Sequence, residues 1–134
     1  MKLRTLSMET RIYLAAASMN IGGVLIFSRL FTNTAINAAD PVVMSNFGLL
    51  MIVVWGLAYI GAAASIKSKW IAGAFAIEKS VYAVVWLDWM SKHSVANVYA
   101  EDAMAGIFFS IYGVNDILFM ILFLILFFKR RAQE

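Results

Sequence analysis

The chain has 134 residues, of which 63% are hydrophobic and 14% charged, against about 45–50% and about 25% in ordinary soluble domains. So short a chain has too little interior to bury that much apolar surface, which excludes a soluble globular domain and assigns the surplus to lipid. The formal net charge of +3 comes from bases clustered between apolar runs, so it reads as membrane topology and no nucleic-acid partner is expected. Cysteine is absent, and the single histidine, His93, falls in a loop. Disulfides and thiol catalysis are therefore excluded, and neither a metal nor a cofactor is expected.

Four apolar runs follow in chain order, at about 11–31, 41–66, 70–90 and 103–128. Each is long enough to cross a hydrocarbon core of about 30 Å as a helix. No strand-like alternation competes, and a closed barrel needs more strands than this chain can supply. The fold class expected is an all-α integral membrane protein, one four-helix antiparallel transmembrane bundle occupying residues 1–134. A cleaved signal peptide is the competing reading of the first run, with Ala38-Ala39 near its end. It fails on the length of the apolar core and on Arg29.

Local signals mark the ends of the runs. Asp40-Pro41 reads as an N-cap followed by proline at the first helical position. Lys67-Ser68-Lys69 is a very short link, which predicts a tight hairpin between the second and third helices. Glu101 and Asp102 put negative charge at the start of the fourth, where the helix dipole favours it. Tyr13 and Trp70 near one interface, and Trp86 and Trp89 near the other, read as aromatic belts.

The bases set the direction. Lys2, Arg4 and Arg11 precede the first span, Lys67 and Lys69 lie between the second and third, and Lys129, Arg130 and Arg131 follow the fourth. The opposite loops, 32–40 and 91–102, hold only Lys92. Both termini are expected on the cytoplasmic side, and the compact layout suggests a bacterial inner membrane.

Counting about 1.5 Å per residue from these bases places Asn20, Tyr59, Glu78 and Lys79 about 12–15 Å deep, and Asn115 and Asp116 about 20 Å deep. Tyr82 and Tyr112 lie near the same level. Each charge at a helix centre costs roughly 2.5–3.5 kcal/mol on insertion scales, so none should face lipid. Lys79 is expected to reach across to Asp116. Glu78, turned about 100° away on the same helix, needs another partner, and Tyr82, four residues on, is in reach. Two carboxylates share the layer with one ammonium, so one of them, more naturally Glu78, must hold a proton or a cation. Nearer the outer face, Arg29 and Asp88 fall at equal depth and are a candidate pair.

Packing signals are weaker. Ser18 with Gly22 and Ala58 with Ala62 are small-xxx-small pairs, and Gly113 stands one turn from Asp116. The unbroken apolar stretch from Ile117 to Phe128 is expected to face lipid. The four-helix arrangement resembles small bacterial inner-membrane proteins of the DoxX type in size and layout. Small multidrug-resistance pumps carry a carboxylate in the first helix, where this chain has Asn20. Three functions remain open: a proton-linked transporter of a small molecule or ion acting as a homodimer, an accessory subunit of a larger membrane complex, and an intramembrane lipid-modifying enzyme.

Overall fold

The computed structural model describes residues 5–65 and 68–131. Among them it forms six helices and no strand: α1 (Met8–Phe27), α2 (Thr34–Ala39), α3 (Asn46–Ala64), α4 (Lys69–Lys92), α5 (Val95–Glu101) and α6 (Ala103–Arg131). Four of these, α1, α3, α4 and α6, are long and apolar enough to cross a membrane. Large apolar residues such as Ile26, Ile77, Val84, Val114 and Ile125 stay exposed along them. Such a surface suits lipid and would be a liability in water. These features fit a multi-pass membrane protein.

The ends of the helices follow their capping chemistry. Ser7 accepts the Thr10 amide at the start of α1, Ser45 caps α3 and Ser68 caps α4, each satisfying an amide that the helix itself leaves free. The expected start at Asp40-Pro41 is therefore five residues early. Asp40 does cap a turn, accepting the Val43 amide at 3.1 Å, but the chain bends again and the long helix starts at Asn46.

The first run also stops sooner than its hydrophobicity suggests. Arg29, Leu30 and Phe31 all take positive φ, 49°, 56° and 65°, a left-handed turn that costs side-chain-bearing residues about 1–2 kcal/mol each. Polar neighbours compensate. Ser28 Oγ accepts the Phe31 amide, Asn33 Nδ2 donates to the Phe27 carbonyl at the end of α1, and Asn46 Nδ2 donates to the Phe31 carbonyl. The segments 32–40 and 91–102, expected to be loops, hold the short helices α2 and α5. Trp89 Nε1 ties α4 to the Ala39 carbonyl that ends α2.

The closest helix pairs are α1 with α3 and α4 with α6. The expected tight hairpin of α3 and α4 is not among them. Its link lies partly outside the described residues, and where the two helices meet they do so through long side chains. The small residues that matter differ from those expected. Ser18 is exposed and a Cβ at Gly22 would meet nothing. Ala58 is likewise exposed, although Ala62 is buried. Instead, Gly56 lets α1 approach, with Asn20 and Ile21 against it, and Gly113 accepts the indole of Trp86.

Two apolar clusters fill the interior. One gathers Tyr13, Tyr59, Phe75, Phe119 and Phe123; the other gathers Val24, Ile36, Met44, Leu49, Trp89, Phe108 and Phe109. The stretch from Ile117 to Phe128 is thus not simply a lipid face. Phe119, Phe123 and Leu126 are buried at helical spacing, while Leu118, Ile121, Ile125 and Phe128 remain outside. The aromatic belts shrink likewise. Tyr13 and Trp89 are core residues, Trp86 is half-buried, and Trp70 alone of the four is exposed.

Gly113 gives a sign test. Trp86 is held by its Nε1 bond to the Phe109 carbonyl, so its ring cannot easily yield to a new methyl group. Gly113→Ala is expected to destabilise the protein by about 1–3 kcal/mol through overpacking. In a Trp86→Ala background the same change is expected to stabilise it by up to about 1 kcal/mol through helix propensity. Unfolding in mild detergent, followed for the four members of the cycle, measures both values.

Candidate functional site: a polar layer between two apolar clusters

The polar residues occupy the gap between the two clusters, and each helix brings its own for a local reason. On α1, Asn20 follows the buried Ala16 and Ala17 by one turn and precedes Val24 by another. Gly56 on α3 lets Asn20 come close enough for its Nδ2 to donate to the Ile52 carbonyl at 3.1 Å. That bond fixes the amide orientation and turns Oδ1 toward α4. There it meets Lys79 Nζ at 2.8 Å.

Lys79 is 1% exposed. Besides Asn20, its ammonium donates to Asp116 Oδ1 on α6 at 2.8 Å and lies 5.5 Å from the centre of the Tyr59 ring. A buried ammonium needs an anion and further acceptors to offset desolvation, and here two acceptors and an aromatic face surround it. The expected Lys79–Asp116 pair is present. Asn115 adds a weaker contact to Asp116 at 3.4 Å.

Glu78 is buried as well but belongs to a different arrangement. The Tyr59 hydroxyl donates to its Oε2 at 2.5 Å. Tyr59 in turn is fixed by Phe75 packed edge-on at 4.7 Å and by Phe123. The layer therefore divides in two: a closed triad of Asn20, Lys79 and Asp116, and a carboxyl on Tyr59 with no cation paired to it among the described residues. The sequence places Tyr59 in the layer but gives its partner no signal; Tyr82, expected within reach of Glu78 or Lys79, is half-buried and shares the lining of the neighbouring spaces with Glu78.

A cavity of about 50 Å³ adjoins the triad, lined by Asn20, Glu78, Lys79, Tyr82, Tyr112, Asn115 and Asp116 together with apolar residues of α1, α3 and α6. It has room for a few water molecules. Tyr112 is 7% exposed and its hydroxyl has no hydrogen-bond partner among the described residues. On the opposite side of Glu78, between α3 and α4, a wider groove of about 420 Å³ has Glu78 and Tyr82 in its lining. Glu78 and Tyr82 are thus common to both spaces. No group of acidic residues or histidine that could hold a metal ion occurs among the described residues.

The expected outer pair of Arg29 and Asp88 does not form. Arg29 binds Asp102 Oδ1 at 2.7 Å, and Asp88 takes Lys92, one turn on, at 2.8 Å. The left-handed turn after α1 points Arg29 toward the start of α6, which a depth count along a straight helix cannot anticipate. Asp102 is the hub of this end, also accepting from Asn33 Nδ2 and capping α6 through the Ala105 amide. The Arg29 guanidinium, the Ala105 amide and Asn33 lower its pKa to about 2. The contribution of this hub to stability is full above pH 3.8 and is lost as the pH falls toward 2. At the other end, Glu9 on α1 holds Arg130 on α6 through two hydrogen bonds.

Comparison with known protein families, with characterised proteins and with solved structures finds no match. The resemblance in layout noted above therefore supplies no residue roles, and the functional argument rests on the layer itself.

The division of the layer predicts unequal costs. Asp116→Asn strands a buried ammonium and is expected to destabilise the protein by about 3–5 kcal/mol. Replacing both partners, Lys79→Met with Asp116→Leu, removes the need for pairing and is expected to recover most of that loss. Thermal unfolding in detergent separates the two variants.

Proposed function

We propose that the chain is a proton-linked membrane transporter of a small molecule or ion, with Glu78 as the group that takes up and releases the proton. The observation that carries this reading is the charge arrangement. Lys79 and Asp116 neutralise each other, while Glu78, in low dielectric, is left with a phenol as its hydrogen-bond partner. A carboxyl in that setting exchanges a proton or a cation with whatever reaches it. It is also in the lining of spaces on two sides, as a group handing cargo between two openings must be.

The topology that goes with this reading is an antiparallel four-helix bundle in a bacterial inner membrane, with both termini cytoplasmic. The contacts of Glu9 with Arg130 and of Arg29 with Asp102 support it, since they join α1 and α6 at opposite ends. The basic residues at the two termini and between the second and third spans support the direction. Four helices are few for a solute pathway, so the working unit is a homodimer.

The completely paired triad favours a second role alongside the first. Asn20, Lys79 and Asp116 act as interhelical glue, the kind of contact an accessory subunit also uses for registry. The two roles fall on different residues, and the test separates them. Glu78→Gln retains an acceptor for Tyr59 and is expected to leave abundance and folding unchanged. Proteoliposomes with an entrapped pH dye and an imposed gradient are challenged with small amines, carboxylates, sugars and metal ions. Wild type is expected to discharge the gradient with at least one class, and Glu78→Gln with none. A wild type that is folded and inert to every class, or a Glu78→Gln variant that discharges the gradient equally well, overturns the reading.

A further inference from the structure

The structure assigns to the α3–α4 groove a ligand class, a lipophilic amine that enters from the bilayer and places its nitrogen at Glu78. The inference deepens the transport reading by naming what the same carboxyl receives.

The groove exists because α3 packs on α1 and α4 on α6, leaving the α3–α4 seam to be bridged by side chains. Tyr59 and Trp55 meet Phe75 at one end, and the Trp89 indole bonded to Ala39 marks the other. Between them the walls are Phe47, Gly48 and Met51 on α3 and Val81 and Val85 on α4. Phe47 is 71% exposed and Val81 55%, so the groove opens on the apolar outer surface. At about 420 Å³ it is in the size range of small-molecule sites. Its lining is apolar except for two groups, Glu78 and Tyr82.

Charge complementarity selects the occupant. An acid finds no cation there, because Lys79 is already paired with Asp116. A neutral apolar molecule gains nothing there over lipid. An amine finds a carboxyl not claimed by Lys79, with the aromatic rings of Trp55 and Tyr82 in the same lining. Aromatic faces attract a desolvated cation. The pairing balances in protons: a neutral amine accepts the proton of the Glu78 carboxylic acid, giving ammonium and carboxylate, and returns it on leaving. Asp116 is not an alternative, because Lys79 occupies it and it is not in the lining of the groove.

The test is equilibrium binding in nanodiscs, which is independent of transport. A spin-labelled dimethylalkylamine serves as quencher of tryptophan fluorescence, and its uncharged ether and carboxylate analogues serve as controls. Wild type is expected to show saturable quenching by the amine, weakened at least about tenfold in Glu78→Gln and reduced in Trp55→Phe, with the controls no better than lipid partition. Val81→Trp fills the groove from an exposed position, leaves Glu78 in place and is expected to block the amine. Equal quenching by all three probes, or unchanged amine affinity in both Glu78→Gln and Val81→Trp, overturns the assignment. So does a Val81→Trp variant that loses a dimer while retaining amine binding, since a second copy would then be the occupant. Saturable binding without gradient discharge leaves the ligand class standing and removes transport; discharge by a different class does the reverse.

Discussion

The ion pair of Lys79 with Asp116 is the contact on which the rest of the interior is arranged. Both groups are buried, and neither is tolerable alone in low dielectric, so the helices that carry them must meet at one level. That requirement fixes α4 against α6. Asn20, held by the Ile52 carbonyl, brings α1 and α3 to the same level through the second acceptor for Nζ. The aromatic cluster around Phe75 and Phe123 and the one around Trp89 and Phe109 then fill the space on either side. Apolar packing alone gives helices in lipid little preference of register, because lipid tails are as apolar as leucine. One pair and one amide supply that preference.

Closing the pair has a chemical consequence. With one ammonium and two carboxyls in the layer, satisfying Asp116 leaves Glu78 over. The fold does not conceal Glu78 completely. It gives the group a phenol donor in Tyr59 and leaves it in the lining of both the small cavity and the α3–α4 groove. Registry and the proposed proton exchange thereby fall on adjacent residues of one helix, turned about 100° apart. The ends of the molecule are held by separate polar hubs, Asp102 and the Glu9–Arg130 pair, so the layer is not needed to anchor the termini of the helices.

Much of this was legible in the sequence, for definable reasons. Hydrophobic length identifies the four long helices, and counting residues from the basic clusters brings Asn20, Glu78 and Lys79 to one level and Asp116 to within about 5 Å of Lys79, a gap a lysine side chain spans. The charge count leaves one of Glu78 and Asp116 over, and the expected pairing of Lys79 with Asp116 makes it Glu78. What failed depended on geometry that rise cannot encode. Arg29 is redirected by three residues of left-handed backbone, so its partner is Asp102 and not Asp88. Ser45 rather than Asp40 starts α3, because an intervening turn uses Asp40 first. The short link Lys67-Ser68-Lys69 suggests a hairpin, whereas the choice of α1 for α3 and α6 for α4 follows from Gly56 and Gly113 and from the side chains they admit. The Tyr59–Glu78 contact spans two helices whose relative rotation has no local sequence signal.

The central claim is that Glu78, and not Asp116, is the free carboxyl that the lipid phase can reach. Hydrophobic carbodiimides enter a bilayer and modify protonated carboxyl groups there, which makes them a direct reporter. Treating the protein in membranes with dicyclohexylcarbodiimide and mapping the adduct by mass spectrometry is expected to place it on Glu78, with Asp116 protected by Lys79. An adduct on Asp116, or none on either residue, would contradict the account.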